Sequence, residues 1–402
     1  MTTSRRIEPA SRTANITYAV RDVVALAKQV QADGMDMIYL NIGDPNVHGF
    51  SPPAGLIDDV SEAMLSNRFG YSPSSGVPDA VAAVEREARA KGIDTIQDVF
   101  ITTGGSEAID LAIAALIEPG DNILTPQPGY PLYQATITKY VGEVNPYRLD
   151  ESNDWLPDVA DMRARINDRS RAIVLINPGN PTGTVIGADV LKEIIALAAE
   201  HNLLLLVDEI YDKLLLDGRQ HVSLASLAGD VPVVTFGGIS KSHQVPGLRI
   251  GWGIVSGEQE AVTDYVEAIN KFLRARLSAN HPAQCAVPGA LTEAGLSHLL
   301  GVIEKLTRRR DLTVNMLNAI DGIDCVKPEA AFYAFPKLDI SRPDSEFATE
   351  LLRATGVVVV PGSGFGQDAG TAHIRVVYLA PEDRLVEAYE RIDQFMKGFR
   401  RS

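Results

Sequence analysis

Short, fully apolar runs alternating with helix-period stretches constrain this chain more than any other feature. Val99-Phe100-Ile101-Thr102, Ala172 to Ile176, Leu203 to Val207 and Val233 to Phe236 each read as a strand. A strand with no polar alternation is covered on both faces, and crossover helices supply that cover. Between the second and third runs, Ala188 to His201 places apolar residues at helical spacing. After the first, Gly104-Gly105 turns into a helix beginning near Glu107, running Ala108 to Glu118 and stopped by Pro119-Gly120. The pattern predicts an α/β fold on a largely parallel sheet.

At 402 residues the chain exceeds one hydrophobic core, so two domains are expected. A helix over about Glu258 to Leu277 reads as a bridge between them. From His298 the order is helix, strand (Phe332 to Phe335), helix, strand (Val357 to Val360) and closing helix. The expected division is an N-terminal segment, 1–50, a large domain, 51–290, and a small domain, 291–402, that the N-terminal segment joins. Gly362-Ser363-Gly364-Phe365-Gly366 hints at a dinucleotide loop, but its G-x-G-x-G spacing is wrong and no helix pattern follows, so it reads as a turn.

A net charge of −15 argues against nucleic acid and anionic membrane as partners. No apolar stretch follows Arg5 and Arg6, and Leu203 to Val207 is too short to span a bilayer, so a cytoplasmic location is expected. Cys285 and Cys325 have no cysteine or histidine at metal-ligand spacing and read as buried thiols, with no metal site implied.

The chemistry-bearing residues fall at strand ends. Lys241 closes Gly237-Gly238-Ile239-Ser240-Lys241, and Arg249 follows eight residues on. A lysine alone is usually a solvated surface charge. This one has company that suits a Schiff-base amine, which must lose its proton to attack an aldehyde. Asp208 ends a strand that looks buried on both faces, so its carboxylate needs a cation. A protonated pyridine nitrogen meets that need, and its proton makes such a ring an electron sink. Helix capping or an arginine pair is the plainer explanation for Asp208 taken alone.

Tyr211 and Asn180, the latter in Asn177-Pro178-Gly179-Asn180-Pro181-Thr182-Gly183, are donors suited to a phenolic oxygen on that ring. The flanking prolines fix the backbone and remove competing amides. Gly104-Gly105-Ser106 opens a helix after a strand, a place where backbone amides meet an anion. Ser240 and Arg249 suit the same phosphate through charge-assisted hydrogen bonds. Tyr130, in Pro128-Gly129-Tyr130-Pro131, is either a ring-stacking or a core aromatic. Arg375, in His373-Ile374-Arg375, suits bidentate capture of an α-carboxylate.

With these residues in place, the chain resembles the fold-type I pyridoxal 5'-phosphate enzymes of the class I/II aminotransferases, over nearly its whole length. Within them it is most similar to bacterial and archaeal alanine aminotransferases that use glutamate and 2-oxoglutarate. Supporting stretches are Tyr18-Ala19-Val20-Arg21, Leu40-Asn41-Ile42-Gly43-Asp44-Pro45, Asp208 to Lys213, Arg276 to Gln284 and Cys325 to Pro328. The resemblance implies a large domain with a mostly parallel sheet and a smaller α/β domain. It implies that Lys241 carries pyridoxal phosphate as a Schiff base and that Asp208 pairs with the pyridine nitrogen. Asn180 and Tyr211 contact the phenolic oxygen, and Tyr130 stacks on the ring. Gly104, Gly105, Ser106, Ser240 and Arg249 hold the phosphate. Tyr71 reaches the phosphate of a neighbouring subunit, which implies a homodimer with shared sites. Arg375, Asn180 and the backbone at Gly43 bind substrate, with Tyr18 and Arg21 on a closing N-terminal segment.

The chain departs from the family pattern at Gly238, where many relatives place a phosphate-binding hydroxyl, at Gly237 for a frequent asparagine, and at Ala330 for a frequent glycine. The implied reaction is L-alanine plus 2-oxoglutarate giving pyruvate plus L-glutamate. Aspartate, aromatic or branched-chain transamination and C–S lysis on the same scaffold stay open. Arg276 is a candidate contact for a second carboxylate. A regulatory binding module is disfavoured by the acidic balance and by the lack of a visible basic DNA-binding segment.

Overall fold

The computed structural model describes residues 7–16 and 19–399, apart from the side chains of 19–22. Its centre is an eight-stranded sheet. In chain order the strands are β1 (Ile96–Thr103), β2 (Asn122–Gln127), β3 (Glu143–Asp150), β4 (Leu156–Pro157), β5 (Ser170–Ile176), β6 (Leu204–Asp208), β7 (Val233–Gly238) and β8 (Ile250–Ser256). Across the sheet the order is β1-β8-β7-β6-β5-β2-β3-β4. From β7 through β3 all neighbours are parallel. Strand β8 runs antiparallel to both β7 and β1, and β4 antiparallel to β3.

The four apolar runs all lie in this sheet, and the helix Ala188–His201 has the bounds the periodicity predicts. Strand β6 shows why its run carries no polar alternation. Leu205 and Val207 enter one core and Leu204 and Leu206 enter another, so both faces are covered. The helix after β1, α1 (Gly105–Ala114), begins earlier than the sequence suggests and ends well short of Pro119.

Four strands of the sheet escape the sequence reading, the two-residue β4 among them. Strands β2 and β3 carry Pro126 and Pro146 among polar residues, and β8 is broken by Gly251 and Gly253. Those glycines are demanded by close approach. A Cβ at 251 would strike the backbone of Gly104 and Gly105, and one at 253 would strike the Phe100 ring.

Helix α2 (Gln259–Arg276) packs on the sheet through Val262, Ile269 and Leu273, and α3 (Leu299–Asn318), α4 (Asp344–Thr355) and α5 (Glu382–Phe399) form a C-terminal layer. There Ile374–Val377 lies between Tyr333–Ala334 and Val360–Pro361, antiparallel to both. The N-terminal strand Ile38–Tyr39 pairs in parallel with Val357–Val358, and Ile38, Leu40 and Phe50 pack into the C-terminal core. Residues Gly362–Phe365 form a single 3-10 turn, as their glycine spacing suggests. Cys325 is buried, whereas Cys285 is half-exposed, contrary to the reading of both as buried.

Leu205→Ala removes a side chain with no exposed surface. It should cost about 3 kcal/mol in urea unfolding, whereas a loss below about 1 kcal/mol would contradict the packing of β6.

Candidate active site

The carboxyl ends of β5, β6 and β7 open on a cavity of about 610 Å³. Ligands bind at this edge of parallel sheets because strand ends and helix starts expose backbone donors there. Eleven residues singled out in the sequence line it: Gly43, Gly105, Ser106, Tyr130, Asn180, Asp208, Tyr211, Ser240, Lys241, Arg249 and Arg375.

Lys241 Nζ donates to the Gly43 carbonyl at 2.9 Å and lies 5.7 Å from the centre of the Phe332 ring. Burial lowers the pKa of its amine to about 8; Arg375 and Arg249 add repulsion, while Asp44 and Asp208 partly oppose the shift. The amine is therefore largely neutral only a little above physiological pH, which a nucleophile toward an aldehyde requires.

Asp208 closes β6. Its Oδ1 accepts from the Ile210 amide at 3.2 Å and its Oδ2 from the Tyr133 hydroxyl at 3.3 Å. No lysine, arginine or histidine among the described residues stands within ion-pair distance. Burial pushes its pKa up to about 6. A buried carboxylate with neutral donors alone fits a ligand that brings its own cation.

Two tyrosines and an arginine tie the C-terminal layer to the sheet. The Tyr211 and Tyr333 hydroxyls lie 2.8 Å apart, and burial holds the Tyr211 proton firmly. Arg375 Nη2 donates to the Asn41 carbonyl at 2.7 Å, and its Nη1 to Asn180 Oδ1 at 3.3 Å. The guanidinium carbon sits 4.7 Å from the Tyr333 ring and 4.6 Å from the Phe365 ring. Aromatic walls and a buried position make this cation a strong carboxylate anchor. With its oxygen turned to Arg375, Asn180 keeps its amide NH₂ for a second partner.

The anion end is built from close backbone packing. Gly104 has φ +77° and heads α1, and a Cβ there would meet the Arg249 guanidinium. Gly104 thus shapes the cradle behind the lining. Arg249 donates to the Pro246 carbonyl at 3.0 Å and the Thr103 carbonyl at 3.5 Å and has no carboxylate partner among the described residues. The Gly238 departure has a local cause. A Cβ there would lie 2.9 Å from the Ile250 carbonyl and 3.1 Å from the Gly251 Cα. A hydroxyl side chain does not fit beside β8, and Ser240 and Ser106 are the hydroxyls that line the cavity.

Two other residues named in the sequence, Arg276 and Tyr71, do not line this cavity. Arg276 lies off the cavity, donating to the Ile101 carbonyl at 2.7 Å and standing 3.5 Å from Glu107, so it offers no second carboxylate contact within its own chain. Tyr71 is 85 % exposed and does not line the cavity of its own chain. Tyr18 and the Arg21 side chain fall outside the described residues. The sequence reading missed Tyr133, Tyr333 and Asp44. Tyr133 lies in the first turn of the helix Pro131–Lys139, whose N-cap is Tyr130, so its place beside the site follows from that of Tyr130. Tyr333 was read only as strand, and Asp44 directly follows the Gly43 that meets the lysine.

The depressed lysine basicity is measurable in cofactor-free protein. Reductive trapping of Lys241 by a small aldehyde, followed by peptide mapping, should rise through a midpoint near 8. A rise only near the ordinary 10.5 would contradict the burial of the amine.

Comparison with known proteins agrees with this geometry. The family model for aminotransferase class I and II matches residues 35–392. The chain is 37 % identical over 401 residues to the glutamate-pyruvate aminotransferase AlaA of Escherichia coli K12, covering 98 % of each. It is equally 37 % identical over 405 residues to an alanine aminotransferase of Mycobacterium tuberculosis H37Rv, covering 98 % of this chain and 94 % of the relative. Among solved structures, the alanine aminotransferase of Pyrococcus furiosus superposes with a TM-score of 0.94 at 39 % identity, covering 97 % of this chain and all of that one. An aspartate aminotransferase of Thermus thermophilus with maleate gives 0.86 at 28 % identity, over 97 % of this chain and all of that one. Match, coverage and fold agree: the chain belongs to the class I and II aminotransferases, a family that works with pyridoxal phosphate.

Proposed function

We propose that this chain is a cytoplasmic, homodimeric alanine transaminase that loads pyridoxal 5'-phosphate at Lys241 and exchanges the amino group of L-alanine with 2-oxoglutarate. One observation carries the proposal. A lysine amine of lowered basicity, a buried carboxylate without a cation and an arginine walled by aromatic rings share one cavity. The names of the relatives in Escherichia coli, Mycobacterium tuberculosis and Pyrococcus furiosus support alanine as the amino donor.

When bound, pyridoxal phosphate supplies the aldehyde that accepts the amino group and a ring that draws electrons from the substrate α-carbon. The residues do the rest. Asp208 holds the proton on the ring nitrogen, and its own burial is relieved by that cation. Tyr211 and the Asn180 amide donate to the phenolic oxygen. Gly105, Ser106, Ser240 and Arg249 receive the phosphate, with the start of α1 adding its dipole. Tyr130 stacks on the ring. Arg375 orients the substrate α-carboxylate beside the Gly43 backbone. Lys241 Nζ, as a neutral amine, would take the proton from the substrate α-carbon.

The homodimer reading rests on surface chemistry. Ile57, Met64, Leu65, Phe69 and Tyr71 are exposed along the helix Ala54–Leu65 and the turn after it. An apolar strip of this kind suits burial against a second copy. In that arrangement Tyr71 reaches the partner's phosphate.

The test is the visible absorption of loaded protein, titrated separately with L-alanine, L-glutamate and L-aspartate without keto acid. Bleaching by alanine and glutamate but only weakly by aspartate is expected, and Lys241→Ala should bind cofactor without turnover. Response to all three would overturn the substrate, and ammonia release without any acceptor would favour the lyase.

A further inference from the structure

Directly behind the Asp208–Tyr211 turn, on the opposite side of the sheet from the cavity, lies a buried ionic network that the transamination chemistry leaves unused. The strand ends at Asp208 and the chain turns there, with the Asp212 amide donating to the Glu209 carbonyl at 3.0 Å. Asp208 and Tyr211 face the site, whereas Glu209 and Asp212 face the helix Pro78–Ala90. Lys91 Nζ, at the end of that helix, donates to Asp212 Oδ2 at 2.5 Å and stands 3.6 Å from Glu87. Lys213 Nζ donates to the same Asp212 oxygen at 2.9 Å and pairs closely with Glu87.

Glu209 differs from the other acids of this network. It is only 2 % exposed, and its Oε1 accepts from Ser223 Oγ at 2.8 Å and from the Leu224 amide at 3.3 Å. His221 stands 4.0 Å from that oxygen while contacting the Asn177 carbonyl. Among the described residues, Glu209 Oε2 has no hydrogen-bond partner, and neither does the buried Thr235 Oγ1 on β7. Both residues, with Lys91, line a narrow space of about 10 Å³. That volume is about the least that admits one water, and Glu209, Thr235 and Lys91 are polar groups within its lining.

We propose that Glu209 and Lys91, joined through a water shared with Thr235, are positioning residues that set the proton affinity of the active site from behind Asp208. Glu209 fixes a negative charge next to Asp208, and Lys91 fixes a positive one that limits its reach. The charged and titratable groups around Glu209 are Lys91, Glu87, Asp212, His221 and Asp208. Those around Asp208 are Lys241, Tyr133, Tyr211 and Glu209 itself. Glu209, 2 % exposed, acts across the sheet with little solvent to screen it, whereas the Lys91 side chain is 29 % exposed and its charge is screened more. The inference rests on the transaminase reading, with Lys241 as the titrating amine.

The isosteric variants Glu209→Gln and Lys91→Gln separate charge from packing. Gln keeps a carbonyl for Ser223 and Leu224. In loaded protein, the pH midpoint of the visible band should fall by about half a unit or more in Glu209→Gln and rise by a smaller amount in Lys91→Gln. Opposite signs are the signature, since loss of packing has no reason to reverse between the two. Unchanged midpoints, or shifts of one sign that follow a drop in Tm, would overturn the proposal. If the wild type shows no titrating band, the transaminase reading fails instead. The same opposite shifts are then sought in the aldehyde-trapping midpoint of Lys241 in cofactor-free protein, and their absence there also overturns the proposal. If Glu209→Gln does not fold, the rise in Lys91→Gln decides alone.

Discussion

An aspartate at the end of a strand covered on both faces is the constraint from which the rest of this site follows. Asp208 accepts only neutral hydrogen bonds, and its pKa near 6 against an ordinary 3.8 corresponds to about 3 kcal/mol disfavouring its charge at neutral pH. The sign is that of a raised acid. The penalty is absent below the ordinary pKa, where folded and unfolded chains both carry the proton, and it is fully present above pH 6. A ligand with a protonated ring nitrogen removes this cost, so cofactor loading and fold stability are linked through one side chain.

Around that carboxylate, two parts of the chain far apart in sequence converge. The N-terminal strap passes Gly43 under Lys241 and offers the Asn41 carbonyl to Arg375. Only glycine permits the passage, because a Cβ at 43 would lie 2.5 Å from the Tyr333 hydroxyl and 2.8 Å from the Phe332 ring. Arg375 in turn reaches Asn180 across from the C-terminal layer. The carboxylate anchor, the reactive amine and the donor to the phenolic oxygen are thereby fixed by one set of contacts. Such rigidity holds reacting groups within the tolerances that catalysis needs.

Much of this was legible because it is local. Unbroken apolar runs at Ala172 to Ile176 and Leu203 to Val207 identify doubly covered strands, and the residues after them fall at the ligand-binding edge. Strand β8 was not legible, because its glycines answer to Phe100 and to the Gly104–Gly105 backbone, neighbours distant in sequence. Tyr133 and Tyr333 were missed for the same reason: each acquires its role from a partner 75 or 122 residues away. The pairing of Arg276 with Glu107 is another tertiary choice that residue type does not announce. Tyr71 points away from its own cavity, so its role depends on a second copy.

The account stands or falls on the charge state of Asp208. Infrared or carbon-13 NMR observation of that carboxyl, before and after loading with pyridoxal phosphate, tests it most directly. In cofactor-free protein the midpoint should lie near 6. On loading it should fall below the ordinary 3.8, because a ring N–H⁺ then faces the carboxylate. A midpoint that stays near 6 in the loaded protein would contradict the pairing on which the rest is built.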